Sequence, residues 1–222
     1  LALGLVLLSA VAHAGWNFLF KRGESQEEFI WWSQVSIAVF LFPLALVLLW
    51  RDPIVYPGWR FVLGTALVHS AYFLLLGRGY QHADLSTVYP IARGMGPMLV
   101  PVLAVLVLGE DISPLALGGI VVVILGMYTV YWWGQMSQIL RDPFRLLSDT
   151  GTRYALLTGL VIAGYTVWDK VGVRYVNPFA YMYLMSLGTA LFLAPYMLRA
   201  KGMGALGAEW GRSAGRIVVV SG

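Results

Sequence analysis

Arg93 is the residue of this chain whose position most needs an explanation. It stands well inside Leu85–Glu110, LSTVYPIARGMGPMLVPVLAVLVLGE, a stretch long and apolar enough to cross a bilayer as a helix. An arginine at bilayer depth costs roughly 2.5–3.5 kcal/mol on insertion scales. The same stretch holds Pro90, Pro97 and Pro101, each of which removes a backbone donor that lipid cannot replace. A segment that served only as an anchor would carry neither feature. The guanidinium offers a fixed fork of donors matched to carboxylate or phosphate. In a low-dielectric cavity it would select anionic or zwitterionic solutes. The structural alternative is a pairing with Asp169 or with a backbone carbonyl. Tyr89 lies one turn away on the same face and would help shape such a cavity.

Other apolar runs carry further candidates. His13, Asn17 and Lys21 are spaced i, i+4, i+8 and share one helical face, with Trp16 at its border. A polar stripe on a spanning helix faces protein or water. It reads either as substrate contact and proton coupling through His13 or as interhelical hydrogen bonding. Asn17 fits the second reading better, and Lys21 fits a side chain snorkelling to the interface. His69, with Tyr72 a turn later, carries the same two readings. His82 sits beside Asp84 in a short polar connection and is expected to be solvated. Tyr165 and Asp169 are again i, i+4, with Trp168 adjacent. Asp169 is either a coupling carboxylate or an interfacial residue. Glu110 and Asp111 follow one helix and precede the next, where they are expected to cap and solvate a turn. No HExxH or other two-histidine spacing occurs, so no metal site and no cofactor are expected.

The elements that must position these groups are membrane helices. Of the 222 residues, 59% are hydrophobic and 12% charged, and the mean hydropathy is +0.74. A soluble domain averages about 25% charged residues. The net charge of +4 and the pI of 9.4 come from basic residues dispersed over short loops. They form no patch, which argues against a nucleic-acid partner. The cysteine count of zero excludes disulfides, Cys-ligated zinc, iron–sulfur clusters and cysteine nucleophiles. No Walker A sequence, DDxxD-type cluster, GxSxG elbow or zincin motif occurs. The chain therefore carries no recognisable ATPase and is not expected to be an enzyme. The partners expected are the lipid bilayer and a small-molecule solute, with a homodimer left open.

Apolar runs of spanning length lie near 1–20, 29–50, 60–80, 85–108, 114–133, 154–173 and 179–198. An eighth begins near Arg216 and stops at Gly222. With no initiator Met, the chain is expected to be a piece of a longer protein. The first run, followed by AVAHA, reads as a spanning helix and not as a signal peptide, because further spans follow it. Connections are short except for 134–153, which reads as a linker between two halves. The halves share a pattern. Ala14-Gly15-Trp16-Asn17 with Lys21 matches Ala163-Gly164-Tyr165-Thr166 with Lys170 at the same spacing. Each next run opens on a Phe (Phe29, Phe179) and carries a late Pro (Pro43, Pro195), and Trp59 and Trp210 precede the third and eighth runs. Five spans per half would invert the second half in the membrane, as in transporters with inverted repeats. The fold class expected is an all-α transmembrane bundle. Its first repeat is 1–133 and its second, incomplete and of about two and a half helices, is 154–222. Gly118, Gly119 and Gly126 read as close helix packing. Trp31, Trp32, Trp50, Trp132 and Trp133 read as an interfacial aromatic belt.

Three motifs carry a resemblance. They are His13-Ala14-Gly15-Trp16-Asn17 with Lys21, Val88-Tyr89-Pro90-Ile91-Ala92-Arg93-Gly94, and Leu108-Gly109-Glu110 opening a tight turn. In this order the chain resembles the drug/metabolite transporter superfamily, in its EamA-like ten-helix branch. The resemblance implies two inverted units around a central cavity, with export or exchange of small metabolites. The eighth span is incomplete and the ninth and tenth are absent, so part of the cavity wall is not in this sequence. The readings from other classes are a membrane-embedded enzyme or flippase acting on lipid-linked substrates, and a non-transporting scaffold. Orientation has two answers. Lys and Arg are richer in the connections after odd-numbered spans, which puts the N-terminus outside; the resemblance implies inside. A bacterial cytoplasmic membrane is the expected location.

Overall fold

The structure is a computed structural model, and it describes residues 3–4, 7–8, 10–11, 15, 26–132 and 148–221. Among the described residues the architecture is all-α and no strand occurs. The helices are α1 (Gln26–Phe40), α2 (Phe42–Arg51), α3 (Gly58–His82), α4 (Leu85–Leu108), α5 (Pro114–Trp132), α6 (Thr150–Gly172), α7 (Pro178–Ala200) and α8 (Gly202–Ser221). Three stretches are each long and apolar enough to cross a membrane: α3, Ser86–Leu108 of α4, and α7. The pair α1–α2 is a fourth if taken as one span. The chain divides into two compact units, Val55–Val176 and Leu1–Ile54 with Asn177–Gly222. Each unit takes helices from before and after the linker expected at 134–153, of which 133–147 lie outside the described residues.

In the unit Val55–Val176, α6 packs along both α3 and α4, and α5 packs on α4. Small residues set these approaches. A Cβ at Gly159 would overlap the Met95 side chain, and one at Gly64 would overlap the Trp168 indole. The hydroxyls of buried Ser70 and Thr158 and of half-buried Thr166 donate to carbonyls one turn back in their own helices, at Ala66, Tyr154 and Ile162. In an apolar interior that satisfies each of them without a partner helix. α4 stays one continuous helix through its three prolines. It ends at Gly109, whose φ of 65° is left-handed, with its N–H donated to the Val105 carbonyl at 3.1 Å. Gly118, Gly119 and Gly126, expected at a tight helix contact, lie on an exposed face of α5 with nothing within 4 Å of a built Cβ. The large apolar side chains of that face, Leu115, Val122 and Leu125, also point outward, as a lipid-facing surface requires.

Asp149 caps α6: its Oδ2 accepts from the Thr152 N–H at 2.7 Å and from the Thr152 hydroxyl at 2.8 Å. These bonds, the backbone one foremost, hold its carboxyl below the usual value of 3.8. Asp149→Ala is expected to lower stability by about 1 kcal/mol, read as a drop in melting temperature near neutral pH. The depressed value means that the stabilisation is present above the unfolded-state pKa and lost as pH falls through the folded one. Wild type and variant should therefore converge in acid, and a constant gap down to about pH 2 would contradict the capping role.

In the other unit, the run expected as one span over 29–50 is two helices. α1 and α2 meet at Leu41 and bend by 56°. Pro43 has no N–H to return to Val39, so it opens a new helix instead of continuing the old one. α1 packs on α7 and α8. Trp31 donates its indole N–H to the Ala190 carbonyl at 3.0 Å, and Trp32 donates to the Leu206 carbonyl at 2.9 Å. These two tryptophans, expected in an interfacial belt, also tie helices together. Trp210, expected ahead of the eighth span, lies inside α8 and packs its ring 4.9 Å from Trp32. α8 itself starts at Gly202 and not near Arg216. Its buried face is Leu206, Glu209, Ser213 and Ile217, at helical spacing. Glu209, whose charge hides that pattern in the sequence, accepts from the Ser213 hydroxyl at 2.6 Å and from Arg212 at 3.3 Å.

Candidate functional site

Arg93 sits in the third turn of α4, where that helix meets α3 and α6, and is half-buried. Its guanidinium donates to the Tyr72 hydroxyl at 3.5 Å, and its charge lies 5.8 Å from the Tyr89 ring centroid. Tyr72 in turn meets Tyr165 edge-on, with centroids 5.6 Å apart. Tyr80 and Tyr165 share the electrostatic neighbourhood of the guanidinium. These neighbours solvate a cation with hydroxyls and ring faces, and none of the tyrosines brings a formal counter-charge. Arg93 is thus seated but not neutralised by them. Pro97 and Pro101 supply no N–H to the carbonyls one turn earlier, those of Arg93 and Pro97.

A cleft of about 620 Å³ opens beside the guanidinium. α4 lines it with Arg93, Gly96, Pro97 and Val100, α5 with Ile120 and Val123, and α6 with Ile162 and Thr166. Its walls are apolar, with one charge and one hydroxyl among these residues. That volume falls in the range of small-molecule sites, and so does the mixture of apolar walls with few polar groups.

His69 and Asp169 form the other end of the cluster. His69 is buried at 7% exposure, and its ring lies against that of Tyr165, tilted by 35° with centroids 4.2 Å apart. Its Nδ1 lies 3.0 Å from both the carbonyl and the hydroxyl oxygen of Thr65. Its Nε2 faces Asp169 Oδ2 at 4.0 Å. Asp169 therefore faces α3 from the last turn of α6. The end of α6 is anchored against the start of α3, where Trp168 donates its indole N–H to the Phe61 carbonyl at 3.0 Å. At the rim, Lys170 hydrogen-bonds Glu110, and Arg174 lies 4.0 Å from the same carboxylate. Glu110, expected to be a solvated cap, thus bridges α6 and the α4–α5 turn.

Six of the nine candidates read from the sequence fall in this one cluster: Arg93, Tyr89, Tyr72, His69, Tyr165 and Asp169. The other three, His13, Trp16 and Asn17, lie outside the described residues. His82 ends α3 and is exposed, as expected, but its ring rests 5.4 Å from that of Tyr154. Thr65 was missed, although its place one turn before His69 was visible. Glu27 and Glu28 were missed as well. The sequence puts them in a charged connection, yet they are buried at 3% and 5% exposure and pair with Lys201 at 3.0 and 3.8 Å. The Tyr196 hydroxyl also donates to Glu27, at 3.2 Å. Only the lysine's position at the end of α7 shows that these acids are held. Among the described residues no group of three or more His, Asp or Glu side chains is placed to hold a metal ion.

No curated protein and no solved structure matches the chain. Its residues 1–132 match the EamA-like transporter family. That span includes the proline-bearing helix with Arg93, its tyrosine neighbours on α3 and α4, and the glycine-capped turn at Gly109. The match covers more than half of the chain and fits its apolar helices. The chain belongs to the EamA-like transporter family, within the drug/metabolite transporter superfamily, and is an integral membrane protein of the transporter type.

Proposed function

We propose that this protein is a secondary transporter, an exporter or exchanger, of small organic metabolites that carry a carboxylate or phosphate, anionic or zwitterionic. It would work by alternating access, built on two inverted repeats, in a bacterial cytoplasmic membrane, as a monomer or a homodimer. Arg93 is the observation that carries the reading. It is a guanidinium within a spanning helix, seated among tyrosines, and it opens onto an apolar cleft of about 620 Å³. A fork of donors in such surroundings favours a planar anion. Tyr72, Tyr89 and Tyr165 shape the site, and His69 and Asp169 complete it. His13, Trp16 and Asn17 are proposed to contribute from the first span.

The test is transport by purified protein in proteoliposomes, with radiolabelled leucine, benzoate and glycerol phosphate against choline and glucose. The expected result is uptake or exchange of one or more of the first three, inhibited by other carboxylates or phosphates, with choline and glucose left outside. Equal movement of choline or glucose would overturn the anion reading. So would an Arg93→Ala variant as active as wild type.

A further inference from the structure

α4 floors the cleft at Arg93, and α5 and α6, each packed on α4, supply its walls. The floor runs from Arg93 through Gly96, Pro97 and Val100 to Pro101, one face of the helix. It continues for about 12 Å past the arginine Cα. Arg93 is the one charged side chain among the lining residues, and Thr166 brings the one hydroxyl. That hydroxyl donates to the Ile162 carbonyl of its own helix at 2.7 Å, so its hydrogen is engaged and only its oxygen can accept. The rest of the lining is aliphatic, proline or glycine. The Pro97 and Pro101 rings add no donor, and they crowd the carbonyls one turn earlier. An ammonium has three N–H groups to satisfy and meets one side-chain acceptor here. A hydroxyl or ammonium moved from water onto such walls costs about tenfold in affinity or more per group left unpaired. A methylene that fits gains about fourfold.

Two glycines shape the space. At Gly96, one turn from Arg93, a Cβ would reach the Ile162 Cγ2 at 3.7 Å, an ordinary contact. The floor beside the arginine is therefore already closely lined. At Gly119, on the α5 wall, a Cβ would meet nothing within 4 Å. The room over Gly119 is part of the cleft, and it exists because that wall position has no side chain.

Resting on the reading of Arg93 as the anion contact, we propose that the solute carries a single anionic head group on an otherwise hydrocarbon body, and that Gly119 sets how large that body can be. The head group lies on Arg93. The body, aliphatic or aromatic, runs along the α4 floor between Val123 and Ile162 and fills the space over Gly119. A second charged group or a row of hydroxyls on the body is selected against, because the walls have no partners to offer it. Gly119 is a specificity-determining position in this reading, while Arg93 makes the polar contact.

The experiment uses probes that share one head group, so that only the body differs. Labelled butyl phosphate, hexyl phosphate, glycerol phosphate and phosphoethanolamine are offered to wild type, Gly119→Leu, Val123→Phe and Arg93→Ala in proteoliposomes. Wild type is expected to half-saturate with hexyl phosphate at a concentration about tenfold below that for butyl phosphate. Glycerol phosphate and phosphoethanolamine should need about tenfold more than butyl phosphate, or more still. Gly119→Leu puts a side chain into the cleft and should cost hexyl phosphate about tenfold more than it costs butyl phosphate. Val123→Phe, one turn along the same face of α5, carries this comparison if Gly119→Leu fails to fold. Arg93→Ala should lose uptake of every probe. Glycerol phosphate or phosphoethanolamine taken up as well as hexyl phosphate, with Arg93→Ala inactive, overturns the hydrocarbon body and leaves the Arg93 reading standing. Equal losses for butyl and hexyl phosphate in the folded α5 variants overturn the role of Gly119. Hexyl phosphate uptake abolished by phosphatidic acid in the vesicles assigns the cleft to a bilayer lipid and overturns the solute. If Arg93→Ala keeps uptake, or wild type moves none of the probes, the Arg93 reading falls and the body with it.

Discussion

Arg93→Ala is expected to lower transport of a carboxylate or phosphate probe by about thirtyfold or more. Removing one partner of a desolvated, hydrogen-bonded charge pair costs about 2 kcal/mol at the low end, and each 1.4 kcal/mol is tenfold. Arg93→Lys should fall between variant and wild type. It keeps a charge but loses the planar fork that meets a carboxylate with two parallel bonds. The thermal stability of the substrate-free protein separates this role from a structural one. Arg93 donates to the Tyr72 hydroxyl and lies over the Tyr89 ring. The alanine variant is expected to lose far more transport than melting temperature. A large drop in melting temperature with unchanged specific transport would make Arg93 a structural residue and remove the support for the function proposed.

The second large effect is expected at Lys201, at the junction of α7 and α8. Glu27 and Glu28 are both buried there, and the Lys201 ammonium reaches both. Removing one member of a buried ion pair leaves an uncompensated charge, at a cost of about 3–5 kcal/mol. A quarter of the lysine side chain is exposed, so about 3 kcal/mol is expected for Lys201→Met. The double variant Lys201→Met/Glu27→Gln should recover part of that loss, because the amide carries no charge to strand. Burial alone would depress the ammonium. Its hydrogen bond to Glu27 and the charges of Glu27 and Glu28 outweigh burial and hold it above the ordinary 10.5. A raised value gives stability that is fully present below the unfolded-state pKa and lost as pH rises through the folded one. The wild type should therefore lose stability above about pH 10.5, and Lys201→Met should not show that alkaline step. Equal melting temperatures for wild type and Lys201→Met at neutral pH would refute the pairing.

Much of the scaffold was legible from hydropathy, because a bilayer imposes its thickness on any helix that crosses it. The runs at 60–80, 85–108, 114–133, 154–173 and 179–198 became α3 to α7 with ends shifted by a few residues. The misreadings share a cause. Pro43 and Pro195 stand in similar sequence settings, yet α1–α2 breaks at the first while α7 continues through the second. Likewise α4 carries three prolines unbroken. Whether freed carbonyls find other partners depends on neighbours that no local pattern names. The Gly202–Arg216 stretch looked like a connection because Glu209, Arg212 and Arg216 dilute its apolar content. Bonding among those side chains and Ser213 lets it enter α8.

The sequence by itself determined that the chain is a bundle of membrane helices, and that Arg93 lies inside an apolar run of spanning length. It also placed His69 with Tyr72, and Tyr165 with Asp169, on shared helix faces. All of that follows from composition, depth and a helical period of about 3.6 residues. Which face meets which was decided only in the folded chain. Asp169 was open to reading as a coupling carboxylate, an interfacial residue or a partner of Arg93, and the packing of α6 on α3 sets it facing His69. Glu27 and Glu28 looked solvated until the end of α7 brought Lys201 to them. The period of a helix fixes the angle at which a side chain leaves it. The neighbour that side chain finds depends on how distant helices cross, and the close approaches at Gly64 and Gly159 help set those crossings.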